Sequence, residues 1–344
     1  MSAPVDHALA QSAAQLAWNT ARALRAGDLH RARRDCEEAL RRAEAAGHPA
    51  GAASVRTTLG RILLAQGELA AATRCLEQAL EAHRAGGRDR LVALTQLALA
   101  DTDRTRGEPD AAIGRLIEAA TAFVRSGEVT YEAGANLQIG AAHHAAGRLD
   151  AAQRHTELAL GVARGARDEA LIASCTVRLA ALHHERGRRQ AAQRLLADAN
   201  RHYHAAGDLP GELGCRLGLV RLSLERGGPH RAEGDLRDEA EAIVDALEPL
   251  GDPWALGAAC STLGAVLGAR GDRLAYTALA RADRLLHHHP THHVLPAIDQ
   301  GWLDLALGDR DAALDRFGAV PTAALGSVTV RLALAGLRHR LASP

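Results

Sequence analysis

The sequence contains no lysine. All 41 of its basic residues are Arg, they are balanced by 41 Asp and Glu residues, and the formal net charge is zero. The absence of Lys excludes Schiff-base enzymes, pyridoxal-phosphate enzymes, Walker-type phosphate loops and Ser-x-x-Lys acyl enzymes, because each of these requires a lysine. The balanced charge also argues against a general nucleic-acid binder, which would carry a basic excess. No nucleic-acid partner is therefore expected.

Aromatic residues, paired cysteines and long apolar runs are scarce as well. Aromatics form 2% of a chain that is 47% hydrophobic, which disfavours stacked-base recognition and aromatic ligand cages. The five cysteines include no C-x-x-C pair, so neither a disulfide framework nor a structural zinc site is expected. No apolar run approaches 18 residues and no signal peptide is recognisable. These absences predict a cytoplasmic protein with no cofactor and no membrane partner.

What the sequence does contain is a repeat of 40 residues. Gly recurs at this interval in six copies, an Ala follows each Gly five residues later, and a second Ala follows seven residues after that in five copies. An apolar residue also stands eight residues before the Gly in five copies. The Gly and first Ala columns are Gly27, Gly67, Gly107, Gly147, Gly187 and Gly227, and Ala32, Ala72, Ala112, Ala152, Ala192 and Ala232. Identical spacing in six copies predicts a repeat array.

Each repeat has the pattern of two helices. In the second copy, apolar residues recur at helical spacing in residues 55–66 and again in residues 68–83. The Gly between the two segments lies where a helix end favours a left-handed residue. Two less regular copies surround Gly271 and Gly308, and residues 327–341 form a last apolar segment. We expect about eight helical hairpins followed by a terminal capping helix.

These residues resemble the tetratricopeptide repeat. The second copy carries Leu59-Gly60, Gly67, Ala72 and Ala79-Leu80, and the fourth copy matches about as well. The 40-residue period is longer than the usual ~34 residues and is similar to the sensor arrays of large bacterial transcriptional activators of the actinomycete type. The resemblance implies an all-α, right-handed superhelical solenoid forming a single domain over residues 1–344. Regular repeats would span residues 8–248, less regular repeats 249–318, and a capping segment 319–344.

The resemblance also implies that the first helix of each repeat lines a concave groove in which peptides or protein segments bind. Polar residues concentrate in the corresponding columns of the middle repeats, where Arg and His can donate hydrogen bonds to carboxylates or backbone carbonyls. We predict that the binding residues are Arg61, Asp101, Arg104, His143, His144, His183, His184 and Arg221. A neighbouring acidic residue, Glu185, belongs to the same polar patch.

Other interpretations of the histidines remain open. His143 and His183 could fill packing positions while His144 and His184 are solvated. Asp103, His143 and His183 could instead form a two-His-one-carboxylate metal site, although repeat periodicity alone would align them. A second group, between His287 and His293, could capture a metal but more simply forms a solvated loop.

The sequence therefore predicts a non-enzymatic scaffold or regulatory adaptor that binds a protein or peptide segment. The alternative is a small-molecule- or metal-binding solenoid, such as a His-dependent enzyme of a secondary-metabolic pathway. A homo-oligomer through the C-terminal repeats is a further possibility, because half of the aromatic residues lie there: Trp254, Tyr276, Trp302 and Phe317. Core packing would explain these aromatics equally well.

Overall fold

In a computed structural model, which describes residues 28–224, 231–287, 292–321, 324 and 328–342, the described backbone forms α-helices joined by short turns. The chain divides into two compact units, one up to Ala135 and one from Asn136 onward. The described residues of the first unit form five complete helices, α1 Leu29–Ala45, α2 Pro49–Ala65, α3 Leu69–Ala85, α4 Asp89–Arg106 and α5 Pro109–Ser126. The division falls within α6, Val129–Ala145.

The second unit contains the remaining helices. They are α7 Leu149–Ala166, α8 Glu169–Glu185, α9 Arg189–Ala206, α10 Leu209–Leu224, α11 Arg231–Leu247, α12 Pro253–Gly268, α13 Leu274–Leu286, α14 Leu295–Ala306, α15 Arg310–Gly318 and α16 Val328–Ala342. Short 3-10 helices cover Glu248–Leu250 and His292–Val294. Even-numbered helices from α2 to α14 are the first helices of their repeats, and odd-numbered helices are the second helices.

Glycines in the left-handed region end the helices, as the repeat pattern predicts. Gly67 and Gly107, at the centres of two repeats, have φ angles of 79° and 78°. Between repeats the same conformation occurs at 40-residue intervals, and there one position departs from glycine. Arg167 ends α7 with a φ of 55° and is the sole non-glycine residue in the described ranges with a positive φ. Gly27 and Gly227, which belong to the same column as Gly67 and Gly107, lie outside the described residues.

The alanine columns form the contact between paired helices. Ala72, Ala152 and Ala192 are fully buried, and Ala112 is 1% exposed. Small side chains at these positions let neighbouring helices approach closely. The side chain of Ala232 is outside the described part. The apolar column before the central glycine is also buried at Leu59, Leu99, Ile139 and Leu179. The all-α class and the helical-hairpin repeats predicted from the sequence are confirmed.

The last helix has a position that the sequence did not reveal. A cap on the final repeat would contact that repeat alone, but α16 also contacts α8 and α10, two first helices from the middle of the chain. Its Val330, Ala333 and Leu337 pack in the core of the last repeats, whereas Leu332 packs beside Ala180 of α8. Because α16 is apolar on more than one side, contact with the last repeat alone would leave Leu332 in water.

Candidate functional site

In the first unit, three of the predicted binding residues lie near one another on α2 and α4. Arg61 and Arg104 are exposed, and the Arg104 guanidinium lies 2.9 Å from a carboxylate oxygen of Asp101. Partial removal from water raises the pKa of the Asp101 carboxyl, and the charges of Arg104 and Arg61 oppose that shift. The first helices of this unit therefore present two cationic donors beside one carboxylate.

Asp103 points to a different environment from that of Asp101. Its side chain is buried and accepts a hydrogen bond of 2.7 Å from Nε of Arg115 on α5. This carboxylate is satisfied by a structural ion pair between the two helices of one repeat. Within the described residues, no three His, Cys, Asp or Glu side chains are grouped as metal ligands. The alternative of a metal- or small-molecule-binding solenoid stays a prediction.

In the second unit, the paired histidines adopt the reverse of the expected burial. His144 is fully buried and His184 is 8% exposed, whereas His143 and His183 are half-buried. The ring of His143 stacks on that of His155 from α7, with the ring centroids 5.4 Å apart. The interpretation in which His144 and His184 are solvated is therefore wrong. The ring of His144 instead faces the neighbouring first helix α8, where it contacts Glu185.

His144 belongs to a mostly buried polar cluster that also includes Arg331 and Glu185, whose side chain is 20% exposed. Nε2 of His144 lies 3.0 Å from Oε1 of Glu185, and Nη1 of Arg331 lies 2.5 Å from the same oxygen. The other terminal nitrogen of Arg331 donates to the backbone carbonyl of His144. Because an ionised carboxylate only accepts, the His144 ring donates from Nε2. The cluster joins α6, α8 and α16.

Burial and charge shift both titratable partners in this cluster. Burial lowers the pKa of His144, the nearby charges of Arg331 and Arg178 lower it further, and the bond to Glu185 opposes them. Burial alone would raise the pKa of Glu185, but the hydrogen bonds and charges of His144 and Arg331 outweigh it and lower that pKa. At neutral pH the cluster therefore holds a neutral imidazole, a carboxylate and a guanidinium.

Arg221, the last predicted binding residue, is part of a second buried cluster. Its two terminal nitrogens donate to the two carboxylate oxygens of Asp299 on α14, each at 2.7 Å. The hydroxyl of Ser261 on α12 donates to the same carboxylate at 2.6 Å. The Arg221 side chain is 3% exposed. Its guanidinium is thus engaged within the fold, and its predicted role in binding remains untested.

Three polar residues of these clusters were not predicted from the sequence: Ser261, Asp299 and Arg331. Asp299 carried a recognisable signal, because it is the charged residue in the middle of an apolar first helix. Arg331 carried none, since its partners Glu185 and His144 are 146 and 187 residues away. Repeat columns cannot align a residue that lies beyond the last repeat.

The remaining candidates divide between surface and core. Trp254 and Tyr276 are about half exposed, whereas Trp302 is buried, so core packing accounts for Trp302. The side chain of Phe317 and residues 288–291 of the histidine-rich segment lie outside the described residues.

Cys175 and Cys215 are buried packing residues, and burial raises the pKa of each thiol to about 12. Among the described helices, none is long and apolar enough to cross a membrane.

Comparisons with known proteins agree with this architecture. The family model described as "Tetratricopeptide repeat" matches residues 51–123. No curated protein matches the sequence. A Rap protein complexed with Competence and Sporulation Factor has a TM-score of 0.63 at 12% identity, with 96% of this chain and 99% of that chain covered.

Two further solved structures share the fold. The Rap conjugation gene regulator of plasmid pLS20, in complex with the Phr* peptide, has a TM-score of 0.57 at 14% identity, covering 83% of this chain and 77% of that chain. A signal transduction ATPase with a tetratricopeptide repeat sensor from Pyrococcus horikoshii has a TM-score of 0.58 at 14% identity, covering 79% of this chain and 41% of that chain. The matched model shows that residues 51–123 contain tetratricopeptide repeats, and the described helical hairpins before and after this range have the same two-helix architecture.

Proposed function

We propose that this chain is a non-enzymatic scaffold or regulatory adaptor that binds a protein or peptide segment along the first helices of its repeats. The observation that carries the proposal is the position of α16, a helical segment that lies against the first helices α8, α10 and α14. A surface that buries one helical segment of this chain has the shape and apolar content to bind another segment.

Exposed polar residues on the first unit support the same function. Arg61 and Arg104 present guanidinium groups on α2 and α4, and Asp101 presents a partly exposed carboxylate between them. An extended peptide offers backbone carbonyls and amides, which match these donors and this acceptor. The two similar Rap structures that contain Competence and Sporulation Factor or the Phr* peptide make a peptide the preferred class of partner.

The test places a photo-crosslinking amino acid at single positions of the full-length chain in its own cells. Positions 61 and 104 report on the first helices, and position 74, an exposed Arg on the second helix α3, is the control. We expect a polypeptide adduct from positions 61 and 104 and none from position 74. Mass spectrometry of the adduct identifies the partner and the segment bound.

Affinity measurements then connect the adduct to the proposed residues. Replacing Arg61 and Arg104 together by Ala removes two charged donors, and we expect affinity for the identified segment to fall about 10- to 100-fold. Arg74→Ala serves as the matched control and leaves affinity unchanged. A chain that yields no polypeptide adduct but purifies with a stoichiometric metal or small molecule would contradict the proposal and favour the ligand-binding alternative.

A further inference from the structure

The surface that α16 covers in the second unit has a polar centre with defined chemistry. Arg331 is 8% exposed and places its two terminal nitrogens against the carboxylate of Glu185 and the carbonyl of His144. Glu185 also accepts a hydrogen bond from the ring of His144. The protein side of this contact thus supplies one carboxylate and one carbonyl, which together match the planar donors of a guanidinium.

Apolar contacts lie next to this polar centre. Leu332, the neighbour of Arg331, packs in one cluster with Ala180 of α8 and Leu222 of α10, and its Cδ1 lies 3.6 Å from where a Cβ on Gly218 would stand. Val328, one helical turn before Leu332, packs against the same cluster. The surface therefore selects a helix that carries an arginine, a leucine directly after it, and an apolar residue one turn earlier.

The energetics of the polar centre favour a contact that can be exchanged. A buried ion pair recovers only part of the cost of removing both charges from water, so an apolar pair would hold α16 as well or better. What Arg331 and Glu185 provide is the register of α16, since breaking the pair leaves the partly buried Glu185 carboxylate without its guanidinium partner. A second helix with an arginine in the same place would satisfy Glu185 equally well.

We propose that the surface formed by α8, α10 and the carbonyl of His144 is a receptor for an arginine-bearing helical segment of a partner protein, and that α16 is the internal segment that competes with it. The inference rests on the proposed function and names the partner chemistry of this surface. Because α16 is covalently attached, its effective concentration is high, and a partner must exceed that competition to bind.

The first test measures binding of a fluorescent peptide with the sequence of residues 327–344 to the full-length chain. Wild type should bind it weakly, because its own α16 occupies the receptor. Arg331→Ala weakens the internal segment but not the peptide, so we expect the peptide to bind about 10- to 100-fold more tightly. Arg338→Ala, at an exposed position on the same helix, is the matched control and should behave like wild type.

A charge exchange tests the receptor itself. In Glu185→Arg the receptor repels Arg331, and a peptide carrying Arg331→Glu should bind this variant but not the wild-type chain. The unmodified peptide should fail to bind Glu185→Arg. Circular dichroism establishes that each variant keeps its helices, and if Glu185→Arg does not fold, the Arg331→Ala measurement decides the question.

Two results would overturn the inference. One is a folded Arg331→Ala variant that binds the peptide no better than wild type, which would make α16 a fixed element. The other is a dimer of Arg331→Ala in sedimentation experiments, which would make a second copy the occupant. The proposed function fails separately, through the absence of polypeptide adducts at positions 61 and 104 in the first unit.

Discussion

The guanidinium of Arg221 on α10 and the carboxylate of Asp299 on α14 form two hydrogen bonds of 2.7 Å, although 78 residues separate them in the sequence. Both side chains are almost completely buried. Asp299 also accepts a bond from Ser261, so the carboxylate joins three first helices of the second unit. Arg221 depends on this carboxylate for its charge balance.

Removal of the carboxylate should therefore destabilise the second unit strongly. Asp299→Ala leaves the Arg221 charge buried without its partner, and we expect a loss of about 3–5 kcal/mol in the free energy of unfolding. The double variant Arg221→Met with Asp299→Leu should lose much less, because both charges are removed together. Urea denaturation followed by circular dichroism measures both variants.

An ion pair of the same length near the surface provides the control. Arg216 and Glu239 are also 2.7 Å apart, but both side chains are more than 30% exposed. Glu239→Ala should change stability by less than about 1 kcal/mol, because water replaces the lost partner. A similar loss of unfolding free energy in Asp299→Ala and Glu239→Ala would contradict the conclusion that burial makes the Arg221–Asp299 pair costly to break.

These clusters show where prediction from the sequence succeeded and where it could not. The glycine and alanine columns, such as Gly67 and Ala72, determine local turns and contacts between neighbouring helices, so 40-residue spacing was sufficient to find them. The pairs of Arg221 with Asp299 and of Arg331 with Glu185 depend on how distant helices meet. The repeat period contains no information on how distant helices meet. Nothing in the column that contains His144 indicated that α16 packs against this residue.

Arg167 offers a stabilising substitution. It has a φ of 55° at a position where Gly87, Gly127 and Gly207 stand in other repeats. A side chain in the left-handed region costs about 1 kcal/mol relative to glycine. Arg167→Gly should therefore raise the free energy of unfolding by up to about 1 kcal/mol, measured by urea denaturation. Gly127→Ala is the reciprocal control and should lower it; stabilisation by both changes would contradict the strain at this turn.

Replacement of two further glycines by alanine should change the stability of the first unit in opposite directions. A Cβ on Gly60 would lie 2.5 Å from Cγ of Leu76, a fully buried residue of α3. Gly60→Ala should therefore destabilise the first unit by about 1–3 kcal/mol through overpacking. Gly114 is exposed on α5 with open space around it, and Gly114→Ala should stabilise by roughly 0.5–1 kcal/mol. Thermal unfolding of the two variants distinguishes packing from helix propensity.

Stability should fall as the pH decreases below about 6.5, the ordinary pKa of histidine. Burial lowers the pKa values of His83, His144, His155 and His183 in the folded chain. Between these lowered values and 6.5, the unfolded chain binds more protons than the folded chain, so the free energy of unfolding decreases as protons are added. Urea midpoints at pH 7.5 and 5.5 measure the change.

A single variant attributes part of this pH dependence to His144. The charges of Glu185, Arg331 and Arg178 act on its ring. The pKa of Glu185 is lowered, so its carboxyl stays ionised over the same pH range. His144→Gln retains a neutral donor and should reduce the loss of stability between pH 7.5 and 5.5. His204→Gln, at an exposed position, is the control. An unchanged pH dependence in His144→Gln would contradict the buried neutral imidazole.

The return of α16 to the middle repeats also has a consequence for folding. In a linear array each repeat contacts its neighbours, so structure can form progressively as the chain is synthesised. The contacts of Arg331 with Glu185 and His144 span 146 and 187 residues, and they form only after α16 itself has left the ribosome. Such high contact order slows the final step of folding. It also links α16 to repeats four and five, so the second unit should unfold with greater cooperativity than an open array.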